Sequence, residues 1–228
     1  SKVREIGTFL RISRSQSSDR FWLPVFMDTR GRWYYRGALN PQGSDLAKAT
    51  LHLARKKPLG YRGLHWLKVA VATHFGFDKA RFELRARWTE QNWDAIERAL
   101  DAPEDFPEVW GTDAPWCMYS AAWDLREALR SRNPAEYRTG IVIHMDATAS
   151  GLQHFAAMLR DPVGARYVNL VDSGGDEKAD VYSQVSAIAL QGVQEDLQSE
   201  DSTTVAMAQY WLAQGVPRAL AKKPVNNI

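Results

Sequence analysis

The 228-residue chain is 45% hydrophobic and carries a formal net charge of +2, so it can bury a real core as one large domain or two small ones. Its apolar runs fall short of the ~20 residues that span a bilayer, and its first residues lack a signal-peptide core, so we expect no membrane association. A single cysteine, Cys117, excludes an internal disulfide and a cysteine-rich metal site, and it fits a reducing cytoplasm. A bound metal ion would therefore need oxygen ligands.

Near the N-terminus, the stretch FWLPVFMDTRGRWYY (21–35) predicts two short strands joined by a turn. Gly31 tolerates positive φ, and the flanking residues are aromatic and β-forming. Arg30 and Arg32 crowd this turn. The segment NPQGSDLAKATLHLARKKPLG that follows predicts a loop and then a helix, which begins at its Ser-Asp pair and ends at its last proline and glycine.

The middle of the chain is dominated by helical periodicity. Amphipathic helices are predicted at Leu64–Phe75, Phe82–Leu100 and Trp116–Leu129. A loop rich in Pro, Asp and Glu separates the last two. After a polar stretch, the apolar run Ile141–Met145 predicts a strand, and helical spacing resumes soon after it. The sequence therefore predicts a unit of strand, tight turn and helix.

Asp146 lies at the C-terminal end of this predicted strand and is followed by Ala, Thr and Ser, which are too small to crowd it. A carboxylate in that position is well placed to hold Mg²⁺ beside substrate phosphates. The spacing also fits a turn or N-cap residue for a helix that begins near Ser150, where aspartate is strongly preferred, so both interpretations stay open at this point. His144 and His154 are ten residues apart on different elements, without a third ligand nearby, which argues against a zinc site.

Towards the C-terminus, helical patterns span Asp180–Leu197 and Val205–Gln214, and a further helix is predicted to start at the next proline. In that last helix Arg218 and Lys222 are four residues apart and project from one face. An arginine fork beside a lysine suits a triphosphate, although solvated helix faces carry the same spacing. The positions one turn before and after the pair, a glutamine and an asparagine, supply no carboxylate to neutralise it.

Four blocks of the sequence together resemble the single-subunit RNA polymerases of bacteriophages and mitochondria. They are MDTRGRWY with the NPQGSD segment, GLHWLKVAVATHFGFDKARFELRARW, MDATASGLQHFAAMLRDPVGARYVNL and WLAQGVPRALAKKPV. The third is similar to the family's motif A and the fourth to the start of its motif B. The phrases AAMLRD and AKKPV lean towards phage members.

The resemblance implies an α+β fold: a right-hand polymerase palm, with a small antiparallel sheet and flanking helices, plus the helical beginning of the fingers. Residues 1–20 would be the end of the thumb or a linker. Residues 21–170 would form the palm with motif A, and residues 171–228 part of the fingers with the start of motif B.

The same resemblance implies an active centre that binds two Mg²⁺ ions in the complete enzyme. Asp146 is expected to be catalytic and to bind metal, with the backbone carbonyl of Ala147 as a further oxygen ligand. Arg218 and Lys222 would hold the phosphates of the incoming nucleotide, with Lys79 of FDKARF as a helper.

Three more side chains match family positions near the substrates. Tyr182, in ADVYSQV, matches a tyrosine that bears on ribose selection, and a plain core aromatic is its alternative interpretation. Arg30 and Arg32 match positions near the template strand or the RNA–DNA hybrid, where phosphate contacts add affinity without sequence readout. A solvated turn is the alternative for these two arginines.

The implied reaction is that of a DNA-directed RNA polymerase, a nucleotidyltransferase that uses ribonucleoside triphosphates to extend RNA on a DNA template by a two-metal mechanism. Two metal ions need at least two carboxylates. The family's second aspartate belongs to an HD motif C that is absent from the sequence, and NNI follows the motif B block where the family usually has Met-Thr and then YG. We therefore expect a part or subunit of a polymerase that is inactive alone, with motif C supplied by a second polypeptide or a missing segment.

Three alternatives stay open at this stage. One is a degenerate palm that has lost catalysis, and a second is a non-catalytic module that binds nucleic acid with steep salt dependence. The third is a fragment of a family A-like DNA polymerase, whose motif A usually has a glutamate where SGLQH stands here. The expected location is the cytoplasm, that of an infected bacterial host for a phage-encoded enzyme.

Overall fold

The computed structural model describes residues 2–15, 20–37, 39–111, 113–144, 147–172 and 179–226. They fall into two compact units, residues 1–144 and residues 145–228. The described residues are rich in helix and include two small antiparallel sheets of two strands each, which is an α+β composition. Within these ranges every helix is too short or too polar to traverse a bilayer.

The first unit combines both sheets with a group of packed helices. In chain order its elements are α1 (Lys2–Ser15), β1 (Val25–Met27), β2 (Trp33–Tyr35), α2 (Asp45–Thr50), β3 (Lys57–Pro58), α3 (Gly60–Phe75), α4 (Phe82–Gln91), α5 (Trp93–Asp101), a 3₁₀ helix (Pro107–Trp110), α6 (Pro115–Arg130) and β4 (Arg138–Thr139). The described part of the second unit is helical: α7 (Ser150–Leu159), α8 (Pro162–Tyr167), α9 (Val181–Asp196), α10 (Ser202–Gln214) and α11 (Arg218–Asn226).

The main core of the first unit lies where α3 and α6 pack together, with α4 and α5 alongside. On α3 the buried residues Leu67 and Val71 are one turn apart, and on α6 Met118 and Leu125 are two turns apart. Three buried alanines of α6 leave room for the neighbouring backbone to come close. Each large side chain buried here contributes roughly 1.5–3 kcal/mol. The sequence periodicity that predicted these helices thus also marks their buried faces.

The predicted hairpin near the N-terminus is confirmed, with β1 and β2 antiparallel and Val25 opposite Tyr35. The turn forms around the carboxylate of Asp28, which accepts hydrogen bonds from the backbone N–H groups of Arg30 and Arg32, both at 2.9 Å. The backbone hydrogen bond from Arg32 is the largest cause that holds the pKa of Asp28 below its usual value. Gly31 has φ +77°, as the sequence predicts.

The prediction of a strand at Ile141–Met145 is wrong for residues 141–144, which have irregular structure. Met145 lies outside the described residues. The observed strand, β4, ends earlier and pairs with β3. Beyond it, the carbonyl of Gly140 accepts a hydrogen bond from Leu53 N–H at 2.6 Å, and a Cβ at position 140 would lie 2.7 Å from the Leu53 carbonyl oxygen. An apolar run becomes a strand only where a neighbour pairs with it, and the described sheets contain none for residues 141–144.

Two helix boundaries also differ from prediction. The helix predicted at Phe82–Leu100 is two helices, α4 and α5, with Asn92 between them. The side chain of Asn92 donates a hydrogen bond to the Trp88 carbonyl at 2.8 Å, and the helix is interrupted at this residue. The helix that was predicted to run from the Ser-Asp pair to the Lys-Lys-Pro segment is α2, which ends at Thr50. Part of the Lys-Lys-Pro segment is β3, which pairs with β4. Both differences arise from hydrogen bonds that periodicity does not reveal.

In the second unit, an aspartate caps each of three helices. Asp161 caps α8, Asp180 caps α9 and Asp201 caps α10, and each side chain accepts a backbone N–H of the first turn. In the described part of this unit, Val168, Val181, Tyr182 and Val225 form one small cluster of buried residues. The predicted helices before and after Pro217 are confirmed as α10 and α11.

Candidate functional site

The structure brings together three of the predicted substrate-binding residues, Tyr182, Arg218 and Lys222. Tyr182 is at the start of α9 and is 8% exposed, so it is indeed a core aromatic. The guanidinium carbon of Arg218 lies 4.9 Å from the centroid of its ring, and Lys222 Nζ lies 5.9 Å from the same centroid. The buried face of this tyrosine therefore holds α9 in the core, while its ring also contacts two cations of α11, Arg218 and Lys222.

Sequence reasoning missed Asp180, the carboxylate partner of Arg218. One oxygen, Oδ1, accepts the backbone N–H of Tyr182 at 3.1 Å. The other, Oδ2, accepts hydrogen bonds from Ser183 Oγ at 2.8 Å and from Arg218 Nε. An aspartate just before a helical pattern indicates an N-cap, but nothing in sequence spacing connects it to an arginine 38 residues later.

The pKa values of this ion pair shift as expected for two charges in contact. Partial burial raises the pKa of Asp180, but hydrogen bonds from Arg218 and Ser183 outweigh it and leave that pKa below its usual value. The hydrogen bond to Asp180 raises the pKa of Arg218. Both groups are therefore charged at neutral pH, and the pair leaves no net charge, whereas Lys222 forms no ion pair with any described carboxylate.

Asn169 fixes the approach to α9. Its backbone is left-handed, with φ +57°, a conformation that asparagine tolerates better than most residues. Its side-chain amide accepts the N–H of Ala179 at 2.9 Å and donates to the carbonyl of the same residue at 2.8 Å. It also reaches the hydroxyl of Thr148 at 3.4 Å. The polar chain Thr148, Asn169, Ala179 and Asp180 thus connects the residues just before α7 to the base of α9.

Asp146 itself lies outside the described residues. The chain next to it is described: Ala147 is exposed, and the N-cap of α7 is Ala149, with φ +46°. Ala149, not Asp146, is therefore the N-cap of α7, and the interpretation of Asp146 as a turn residue stays a prediction. Among the residues that are described, no three His, Cys, Asp or Glu side chains are grouped to hold a metal ion, His144 and His154 included.

Lys79 belongs to the first unit, in the connection between α3 and α4. Its ammonium group pairs with Asp78, and the side chain is highly exposed. The buried guanidinium of Arg85 donates to the carbonyls of Asp78 and Ala80, on either side of this lysine. The backbone that carries Lys79 is therefore held firmly, while its side chain projects into solvent.

Arg30 and Arg32 lie at the tip of the β1–β2 hairpin and are exposed. The guanidinium of Arg30 pairs with Asp28, whereas Arg32 contacts that carboxylate only through its backbone N–H. Trp22 and Trp33 on the same hairpin are also exposed. Charged and aromatic groups thus share one exposed element.

Comparison with known proteins relates these residues to one family. The family described as DNA-dependent RNA polymerase matches residues 57–227 of the chain. The DNA-directed RNA polymerase of Pseudomonas phage phiKMV is 42% identical over 227 residues, which are 98% of this chain and 28% of that protein. The mitochondrial DNA-directed RNA polymerase of Neurospora crassa is 36% identical over 87% of this chain and 14% of its own length.

A third relative, T7 RNA polymerase of Escherichia phage T7, is 33% identical over 90% of this chain and 25% of its own length. The chain thus spans less than a third of each of these relatives. The similarity nevertheless extends over most of the 228 residues, in phage and mitochondrial proteins alike. This chain belongs to the DNA-dependent RNA polymerase family of phages and mitochondria.

Proposed function

We propose that these residues form part of the active centre of a DNA-directed RNA polymerase, which transfers nucleotides from ribonucleoside triphosphates to the 3′ end of RNA on a DNA template. The observation that carries the proposal is the convergence of Arg218 and Lys222 on the Tyr182 ring in a chain of this family. In this proposal, residues 21–170 belong to the palm and residues 171–228 to the fingers, and residues 1–20 are the end of the thumb or a linker.

Arg218 and Lys222 on α11 are assigned to the triphosphate of the incoming nucleotide. The guanidinium of Arg218 can bind phosphate oxygens through two nitrogens, and Lys222 adds a mobile point charge. Lys79 is assigned a supporting contact with the phosphates, because its ammonium is exposed on a firmly held backbone. Tyr182 is assigned to the region of the ribose, since the buried ring gives the substrate a rigid neighbour.

Asp146 and the carbonyl oxygen of Ala147 are assigned to Mg²⁺. Carboxylate and carbonyl oxygens are ligands that this ion prefers, and Ala147 is an exposed residue. When bound, a pair of such ions stabilises the attacking and leaving oxygens of an in-line displacement. One aspartate cannot hold two ions, so we assign the second to a motif C from outside these 228 residues, on a second polypeptide or another segment of the enzyme.

The exposed hairpin is assigned to nucleic acid. Arg30 and Arg32 would contact phosphates of the template strand or of the RNA–DNA hybrid. The guanidinium of Arg30 is paired with Asp28, whereas that of Arg32 is not. The similarity to phage polymerases further suggests transcription in the cytoplasm of an infected bacterial host. No observation favours the DNA polymerase interpretation over this one.

The proposal is tested by Asp146→Asn in the assembled polymerase that contains this chain. We expect Mg²⁺-dependent RNA synthesis to fall roughly a thousandfold or more, because several kcal/mol of charge stabilisation are lost. Asp161→Asn is the matched control, since asparagine caps a helix as well as aspartate does and α8 should be unaffected.

Undiminished RNA synthesis by Asp146→Asn would refute the metal assignment. Template binding with steep salt dependence but no synthesis by the unmodified assembly would favour a non-catalytic binding module instead. Preference for deoxyribonucleotides over ribonucleotides would indicate a DNA polymerase.

A further inference from the structure

The ion pair between Asp180 and Arg218 uses only one edge of the guanidinium group. Asp180 Oδ2 accepts the N–H of Nε. Among the described residues, neither terminal nitrogen, Nη1 or Nη2, donates a hydrogen bond to a protein acceptor. These two nitrogens are a pair that can bind one phosphate group bidentately. The contact with Asp180 therefore orients Arg218 and leaves this pair of donors available.

Asp180 is itself held in place from several sides. It caps α9 through the N–H of Tyr182 and accepts the hydroxyl of Ser183. The residue before it, Ala179, is bonded through both its N–H and its carbonyl to the side chain of Asn169. A carboxylate with so little freedom can hold a long side chain in one orientation.

We propose that Asp180 is a positioning residue for nucleotide binding, which holds the guanidinium of Arg218 against the Tyr182 ring with its two terminal nitrogens free for phosphate. The inference rests on the proposed function, in which Arg218 binds the triphosphate. A free arginine side chain loses rotamer entropy when it is fixed in one orientation. Asp180 removes part of that loss before the nucleotide arrives, so it lowers the KM for nucleotide and leaves kcat unaltered.

The expected effect is modest, because both side chains are partly exposed to solvent. Exposed ion pairs typically alter an equilibrium by about 1.5- to 5-fold. We therefore expect Asp180→Asn to raise the KM for ribonucleoside triphosphate about 2- to 5-fold in the assembled polymerase, with kcat within about twofold. Asparagine keeps the N-cap, so loss of α9 would not explain the change.

Two further variants separate positioning from helix capping. Asp201→Asn is the matched control: Asp201 caps α10 through Thr203 and Thr204, and no arginine pairs with it among the described residues. Its KM should be unchanged. Asp180→Glu keeps the charge at a different reach, and its KM should lie between those of the unmodified enzyme and Asp180→Asn.

The decisive measurement is a double-mutant cycle. If Asp180 acts through Arg218, then Asp180→Asn raises KM in the unmodified enzyme and has no further effect in an Arg218→Ala background. An unchanged KM in the single variant, or an equal increase in both backgrounds, overturns the inference while leaving the proposed function intact. An unchanged KM for Arg218→Ala overturns this inference together with the assignment of Arg218 to the phosphates. Undiminished RNA synthesis by Asp146→Asn is a different outcome, which shows that the proposed catalytic site is wrong.

Discussion

The two units of this chain obtain their internal order in different ways. In the first unit α3 and α6 bury Leu67, Val71, Met118 and Leu125 almost completely. In the described part of the second unit the buried apolar cluster is small, formed by Val168, Val181, Tyr182 and Val225, and Met158 on α7 remains 78% exposed. Polar contacts of Asn169 and Asp180 connect its segments instead. Tyr182, Arg218 and Lys222 thus lie on the unit that depends more on hydrogen bonds and less on burial, whereas Lys79 belongs to the first unit.

The largest effect on stability is expected at the centre of the first unit. Leu125 on α6 is 1% exposed, so Leu125→Ala should destabilise that unit by about 2–5 kcal/mol through lost burial and a residual cavity. Hydrogen exchange of the α3 and α6 amides measures the loss. Leu129, one turn later and 40% exposed, is the control, and Leu129→Ala should cost less than about 1 kcal/mol. Equal losses at the two positions would contradict the proposed core.

A smaller effect is expected in the second unit. Val225 on α11 packs with Tyr182 and Val181, and Val225→Ala should lower the stability of α9 and α11 by about 1–2 kcal/mol. Exchange of amides in these helices should accelerate, whereas those of α3 and α6 should not respond. Val163→Ala at a 63% exposed position of α8 is the control and should leave exchange unchanged. Faster exchange in α6 as well would show that the two units do not open independently.

The smallest change concerns a thiol in the first unit. Burial, with the hydrogen bond to Asp45, raises the pKa of Cys117 to about 12. An unfolded thiol titrates near pH 8.5, so ionisation begins to favour the unfolded chain above that pH, and stability is lost progressively towards pH 12. Below pH 8.5 this thiol gives no pH dependence.

Alkylation of Cys117 at pH 8.5 tests that prediction. We expect the native protein to react at least about 100-fold more slowly than the urea-unfolded chain, because burial keeps the thiol protonated and out of reach. The unfolded chain is the control for reagent activity. Equal rates would show that the start of α6 opens readily and that the first unit is less rigid than its packing indicates.

The sequence predicted what depends on local patterns. The hairpin around Gly31 and the helices before and after Pro217 follow from a turn residue and from helix signals. Membership in the polymerase family could also be predicted from the sequence, because the resemblance extends over long collinear blocks.

What the sequence could not predict depends on contacts between distant residues. The apolar run at 141–144 looks like a strand, yet a strand requires a pairing partner that no periodicity supplies. The break at Asn92 depends on one side-chain hydrogen bond. The pairing of Asp180 with Arg218 joins residues 38 positions apart, and it could be found only once α9 and α11 were seen to pack together. The roles of Asp146 and Lys79 stay predictions.

The contact between Asn169 and Ala179 also determines where α9 begins. One side-chain amide bonds to both the N–H and the carbonyl of a single residue, as a backbone partner would in a sheet. Ala179 directly precedes the N-cap Asp180, so the first turn of α9 is anchored to residue 169 by two hydrogen bonds as well as by apolar packing.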